Sequence, residues 1–312
     1  MNQPQLENLF VCIGAQKAGT SWLFSVLSQD DRFKFCPHVK EIHYFDHVHC
    51  KSPLLNQWRA HHLIQMVERR GLSLKTIMAG FLSGEEDNFL KNRKYKIKGN
   101  FFAAKKFLEL SGTVDDAWYT AMLRTNEKQS YSMDITPDYA VIGENGFKHM
   151  DKLAKNLKLL FILRDPVERA WSGLLQGKKK HKGGVKEFLE QNIHNIDLLF
   201  NLCTTGKDIL PRSNYAKTLS ELEQLGLLDR TLIKFYDDIM EKPKEFILDV
   251  YKFLDLPVDI SSEFEVLLKN KVYGTVGKSE MPEELRERLV EFYRPFNFAL
   301  SKYCDVPDSW NA

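Results

Sequence analysis

Residues Phe10–Trp22, FVCIGAQKAGTSW, constrain this chain more than any other stretch, because they read as a buried strand running through a glycine-rich turn into a helix. Phe10, Val11, Cys12 and Ile13 form the short apolar run of a central parallel strand. Gly14 and Gly19 bracket a loop that needs unusual backbone angles or close approach to a ligand. Beyond Gly19, the N–H groups of Thr20, Ser21 and Trp22 are the unsatisfied donors of a helix N-terminus, aimed at any anion in the loop, and Lys17 adds a full positive charge. Taken alone, the stretch fits either a phosphate cradle or a plain tight turn. The nucleoside-triphosphate loop G-x-x-x-x-G-K-[ST] puts Lys directly before the hydroxyl residue that holds magnesium. In this chain Lys17 instead precedes Thr20 by three residues, and Trp22 follows.

A second segment, KLLFILRDPVERAWSGLL from Lys158 to Leu175, repeats the layout. Leu159 to Leu163 reads as a buried strand, Asp165 suits a helix N-cap and Pro166 the first helical position. Arg164 therefore falls at the carboxyl end of a strand, where ligands bind in open α/β sheets, and Ser172 lies two helical turns further on. The guanidinium fork can take phosphate oxygens bidentately. By itself Arg164 also fits a surface ion pair beside Asp165 and Glu168.

The order Lys17-Ala18-Gly19-Thr20-Ser21-Trp22 resembles the 5′-phosphosulfate loop of sulfotransferases that use 3′-phosphoadenosine 5′-phosphosulfate (PAPS). KEIHYFD, Lys40 to Asp46, resembles the K-E-x-H-F-F-D segment of glycosaminoglycan (heparan sulfate)-type sulfotransferases and their bacterial relatives. YGTVGKSEMPEELRERLVEFYRPFN, Tyr273 to Asn297, resembles that family's cofactor-closing loop and the helix behind it. Smaller echoes are Trp118-Tyr119, Thr136-Pro137 with Tyr139, and Tyr215 ahead of the strand in LIKFYDDI.

The resemblance covers nearly the whole chain and implies a P-loop-like sulfotransferase fold, α/β with a central, mostly parallel sheet flanked by helices, as one domain over residues 1–312. It implies PAPS as donor, adenosine 3′,5′-bisphosphate (PAP) as product, and no metal. Gln16, Lys17, Ala18, Gly19, Thr20 and Ser21 would hold the 5′ end, and Trp22 would either stack on the adenine or pack in the core. Arg164 and Ser172 would grip the 3′-phosphate, with Tyr273, Val276, Gly277 and Lys278 closing over it. Lys278 would act as a point charge where the family has an arginine fork. Lys17 would stabilise the phosphosulfate bridge oxygen as it gains charge.

For the general base the resemblance points to Glu41, a carboxylate whose burial would raise its pKa toward the working range. His43 competes locally because imidazole titrates near neutrality, or is a packed structural histidine. Asp134, in MDITPDY, is a second acidic candidate. Many glycosaminoglycan-type relatives have a lysine directly before the Ser/Thr-Pro pair, and Ile135 stands there instead, a departure from a two-lysine arrangement and from a heparan-like acceptor.

Composition sets the limits. The 312 residues are 43% hydrophobic, enough for a substantial core, and the formal net charge of +2 is too small to make nucleic acid or an anionic membrane the main partner. The first residues show no basic region followed by an apolar run, and no stretch approaches a membrane span, so a cytoplasmic protein is expected. Five scattered cysteines read as reduced thiols. Strands are expected near Leu9–Gly14, Tyr95–Lys98, Gln129–Met133, Leu159–Leu163 and Thr231–Phe235, and helices after Thr20, Pro166 and Pro282. Residues 47–93, with Trp58, His61, His62 and GEEDNF, read as a helical insertion beside the acceptor cleft or as a packing layer over a sheet edge. The run GKKKHKGG, with Lys178 to Lys182, is either a solvated loop or an electrostatic funnel for an anionic substrate.

A sulfotransferase acting on a hydroxyl or amine of a carbohydrate or small molecule is the leading reading. A magnesium-dependent phosphoryl transferase and a non-catalytic nucleotide-binding protein are the alternatives.

Overall fold

The computed structural model describes residues 5–70, 110, 112–179, 183–206, 208–258, 265–266, 268 and 280–311. Strands β1 (Leu6–Gly14), β2 (Phe33–Lys34), β3 (Tyr131–Ile135), β4 (Ala154–Leu163) and β5 (Thr231–Phe235) form one five-stranded sheet in the order β2-β3-β1-β4-β5. Every pairing is parallel. The strand expected at Tyr95–Lys98 lies outside the described residues.

β1 takes the middle of the sheet because Leu9 to Ile13 are all fully buried. At about 1.5–3 kcal/mol for each large apolar side chain removed from water, no edge position competes. The β3 and β4 pairings lie on either side of it, so the strand order reverses beside β1, and the crevice at the carboxyl ends of β1 and β4 is the switch point where open α/β sheets bind ligands.

Helices follow the strands: α1 (Thr20–Leu27), α2 (Tyr44–Cys50), α3 (Leu54–Arg70), α4 (Asp116–Leu123), α5 (Gly143–Lys152), α6 (Pro166–Lys178), α7 (Ile196–Thr205), α8 (Tyr215–Gln224), α9 (Pro243–Phe253) and α10 (Glu283–Leu300). α6 starts as its sequence dictates, the Asp165 carboxylate accepting from the N–H of Val167 at 2.9 Å and Pro166 filling the first turn. The main core joins the sheet to α1, α5, α8 and α9. A second apolar cluster joins Val167, Ala170, Trp171 and Leu174 of α6 to Leu199 and Cys203 of α7 and Leu285, Leu289 and Tyr293 of α10.

The cysteines are free thiols, with Cys12, Cys36 and Cys203 buried. Burial, above all, pushes the Cys12 thiol up to about 12, so it is an inert core group. No helix among the described residues is long and apolar enough to cross a membrane.

Candidate active site

The loop between β1 and α1 is shaped by backbone demands. A side chain at Gly14 would stand 3.1 Å from the carbonyl oxygen of Pro137, and Gly19 adopts φ +84°. Lys17 also has a positive φ, 74°, an uncommon conformation for a lysine that turns it out of the strand direction. The loop is tied to the neighbouring strand by the Ala15 N–H, which donates to the Ile162 carbonyl at 2.7 Å.

That tie brings the two sequence segments together. Arg164, at the end of β4, donates from Nη1 to the Lys17 carbonyl at 2.9 Å, and its guanidinium lies 4.8 Å from the centre of the Tyr236 ring. It also stands 3.6 Å from Glu168, so the ion pair and the site contact coexist. Tyr215, one of the family echoes, donates its hydroxyl to the Arg164 carbonyl at 2.7 Å. Lys17 donates from Nζ to Gln176 Oε1 of α6 at 3.1 Å. Burial, then the like charges of Lys179 and Arg164, lower the Lys17 pKa from its ordinary value. Ser172 is 4% exposed, and its buried hydroxyl has no hydrogen-bond partner. An orphaned donor of this kind fits an oxygen-rich ligand such as a phosphate.

The KEIHYFD segment crosses in front of this loop. Lys40 donates from Nζ to Thr20 Oγ1 at 3.0 Å, Ser21 Oγ at 3.2 Å and Glu41 Oε1 at 2.8 Å. On its other side Glu41 Oε2 stands 3.5 Å from His43 Nε2, and His43 Nδ1 donates to Asp46 Oδ2 at 3.0 Å. Asp138 lies 3.7 Å from the same nitrogen and is itself held by the Arg212 guanidinium at 2.6 Å. Burial works against charge on both Glu41 and His43. For Glu41 the His43 contact and Lys40 outweigh it and keep the carboxylate well below its usual range, the reverse of the rise that burial was expected to give. For His43 the Asp46 and Glu41 contacts outweigh it and raise the imidazolium to about 10. Ligand-type atoms of His43, Asp46 and Asp138 lie within 4.8 Å of one another, and the proton on His43 with the fork of Arg212 supplies the positive charge they need.

Asp134 sits beneath this segment, 1% exposed, accepting from Thr136 at 2.6 Å, Tyr139 at 2.8 Å and Tyr119 at 3.2 Å. Burial raises its pKa to about 6 against those three hydroxyls. Thr136 and Tyr139 in turn accept from the N–H groups of Ile42 and Tyr44, each at 3.0 Å. The carboxylate thus suspends the two amides flanking His43, which has φ +60°. That is the physical content of the Thr136-Pro137-x-Tyr139 echo. The position suits a brace under the cleft better than a group open to an acceptor.

Of the residues singled out in the sequence, contacts join Lys17 to Arg164 and, through Lys40, join Thr20 and Ser21 to Glu41 and His43, with Gln16, Ala18 and Gly19 in the loop itself; Ser172 lies on α6, one turn before the Gln176 that Lys17 meets. The Trp22 ring takes the packing role: it is 6% exposed, edge-on to Phe246 at 5.7 Å, and donates from Nε1 to the Leu268 carbonyl at 3.3 Å. Tyr273, Val276, Gly277 and Lys278 lie outside the described residues, as do Lys180 to Lys182 and residues 71–93 of the expected insertion. The described part of that region, residues 47–70, includes α3, whose Trp58 donates from Nε1 to the Ile42 carbonyl at 3.0 Å. Two residues escaped the sequence reading. Lys40 lay in a quoted segment, directly before the candidate base. Gln176 follows Ser172 by four residues and shares its helix face.

The family model described as the sulfotransferase domain matches residues 7–294. Heparan sulfate glucosamine 3-O-sulfotransferase 3B1 of Mus musculus is 25% identical over 199 residues, which are 58% of this chain and 50% of that protein. Heparan sulfate glucosamine 3-O-sulfotransferase 5 of Mus musculus is 23% identical over 203 residues, 58% of this chain and 56% of that one. The chain spans about half the length of these relatives. Among solved structures, a sulfotransferase from Alicyclobacillus acidocaldarius aligns over 98% of this chain and 99% of its own, with TM-score 0.53 and 18% identity. The sulfotransferase domain of the Synechococcus PCC 7002 olefin synthase aligns over 98% of both chains, with TM-score 0.52 and 13% identity. These two show a shared fold.

Proposed function

This chain belongs to the sulfotransferase domain family, and from that premise we propose that it moves a sulfuryl group from PAPS to a hydroxyl or amine of a carbohydrate or small-molecule acceptor. The observation that carries the reading is the convergence of three separate segments on one crevice. The β1 loop with Lys17 and the β4 end with Arg164 are joined at 2.9 Å, and Glu41 is joined to the start of α1 through Lys40.

The bound donor would supply a sulfuryl group whose bond to a 5′-phosphate oxygen breaks as the acceptor's bond to sulfur forms. The first-turn N–H groups of α1, with the hydroxyls of Thr20 and Ser21, would hold the 5′-phosphate end. Lys17, bonded to the neutral Gln176 rather than to a carboxylate, keeps its charge uncompensated for the leaving oxygen. Arg164 and the unpartnered Ser172 hydroxyl would take the 3′-phosphate.

Glu41 would accept the acceptor's proton. Its surroundings keep it ionised and so able to accept a proton throughout the neutral range, but as a weaker base than a raised pKa would give, so the role rests on position, which the Asp134 brace fixes through the backbone that presents it. A carbohydrate acceptor is supported by the relatives named for heparan sulfate glucosamine.

The test is calorimetric binding of PAP against ADP and ATP, with and without magnesium. Metal-independent preference for PAP is expected. Equal affinities, or a magnesium-dependent preference for ATP, would overturn the reading and favour phosphoryl transfer.

A further inference from the structure

Lys40 is the cation that touches both halves of the proposed chemistry. Its ammonium is 3.0 and 3.2 Å from the hydroxyls of Thr20 and Ser21, which open α1, and 2.8 Å from Glu41. The side chain is 18% exposed, largely buried with its ammonium held between α1 and Glu41. The position before Thr136-Pro137 offers no charge, because Ile135 is fully buried and apolar. Resting on the reading above, we propose that Lys40 is a second catalytic lysine, its ammonium contacting the phosphosulfate end of the donor at the start of α1 and sharing that charge with Lys17.

The chemistry of its present partners supports this. An ammonium has three donors and no acceptor, and two of the three Lys40 donors are spent on neutral hydroxyls. Those hydroxyls can turn to donate to a phosphate oxygen, which leaves the ammonium within one hydrogen bond of the same oxygens. Exchanging a neutral acceptor for an anionic one gives the stronger, charge-assisted bond. The third donor stays on Glu41, so one side chain links the place of the leaving group to the base.

Three ligands separate this role from a structural one: PAPS, PAP, and adenosine 3′-monophosphate, which lacks the 5′ group. Binding is measured to the full chain carrying Lys40→Met or Lys40→Arg. Lys40→Met is expected to weaken PAPS and PAP by about tenfold or more, as loss of a hydrogen bond to a charged group does. Adenosine 3′-monophosphate should stay within about twofold, since its phosphate meets Arg164 and Ser172. Lys40→Arg should recover most of the loss. Unchanged PAPS and PAP binding would overturn the inference, and so would a loss shared equally by adenosine 3′-monophosphate, which would mean a collapsed loop. If the unmodified protein fails to prefer PAP over ADP, the sulfotransferase reading falls and this inference with it; if that preference holds, a failure of the Lys40 variants touches Lys40 alone.

Discussion

At the scale of single residues, the site is a line of alternating charges, Lys40, Glu41, His43 and then Asp46 with Asp138, closed by Arg212. Glu41 and His43 are held in their charged forms by neighbours of opposite sign, which ties folding to pH. His43 is raised from an ordinary 6.5 to about 10, so its contribution is fully present below about 6.5 and is lost as pH rises through 10. Glu41 runs the other way, contributing above its ordinary 4.5 and losing that contribution as pH falls toward 2. Both contributions are intact between 4.5 and 6.5. Urea denaturation midpoints should therefore decline from pH 6.5 toward 10, and His43→Gln should show a shallower decline. Parallel profiles for the two proteins would mean that His43 does not hold its proton as the geometry requires.

At the scale of elements, the turn from β1 into α1 is the part least tolerant of change. Gly19 has φ +84°, and a Cβ there would stand 2.7 Å from Ile239 Cδ1. The isoleucine tip can move aside, so the backbone term decides the outcome. Holding an alanine in the left-handed region costs roughly 1–2 kcal/mol. Gly19→Ala should lower stability by that order and weaken PAP binding more than a solvent-facing substitution on α5 does, as paired thermal and calorimetric titrations would read. Unchanged PAP affinity would show that the α1 N–H groups do not face the ligand.

The same elements show what a sequence can and cannot tell. β5 matches its expected span of Thr231–Phe235, while β1 and β4 begin earlier than expected, at Leu6 and Ala154. The buried apolar runs of β1 and β4 are legible, while their first residues, with Glu7, Lys155 and Asn156 exposed, carry no apolar signal; β5, half-buried at the sheet edge, is marked by Leu232, Ile233 and Phe235. β3 lies two residues beyond its expected place, at Tyr131–Ile135, because it buries Ser132 and Asp134, whose partners come from α4 and from the loops around it. β2, only two residues long, carries no period to read. Lys17 and Arg164 were legible through motif and context. Gln176 was not, because its partner Lys17 lies 159 residues away in the chain; Lys40 was not, because nothing in the sequence marks the turn that folds its segment back onto Thr20 and Ser21.

At the scale of the molecule, the C-terminal segment closes the structure near the switch point. Trp310 is 1% exposed, with its ring 5.5 Å from Phe235 and 6.4 Å from Tyr215, and its carbonyl accepts from Asn297 at 3.2 Å. Trp310→Ala should cost about 3–5 kcal/mol in chemical denaturation, the range for truncating a buried aromatic. Trp310→Phe should keep most of that. A loss under about 1 kcal/mol would mean that the segment only rests on the core.

The bond from Ala15 to Ile162, which staples the carboxyl ends of β1 and β4, has a consequence of another kind. On the proposed assignment the 5′ and 3′ grips stand on neighbouring backbones, so their separation is a lattice constant of the sheet and no single side chain sets it. The crevice then acts as a caliper. Substitutions at Arg164 or Lys17 would alter how firmly its jaws hold, while the gap between the two strand ends belongs to the fold.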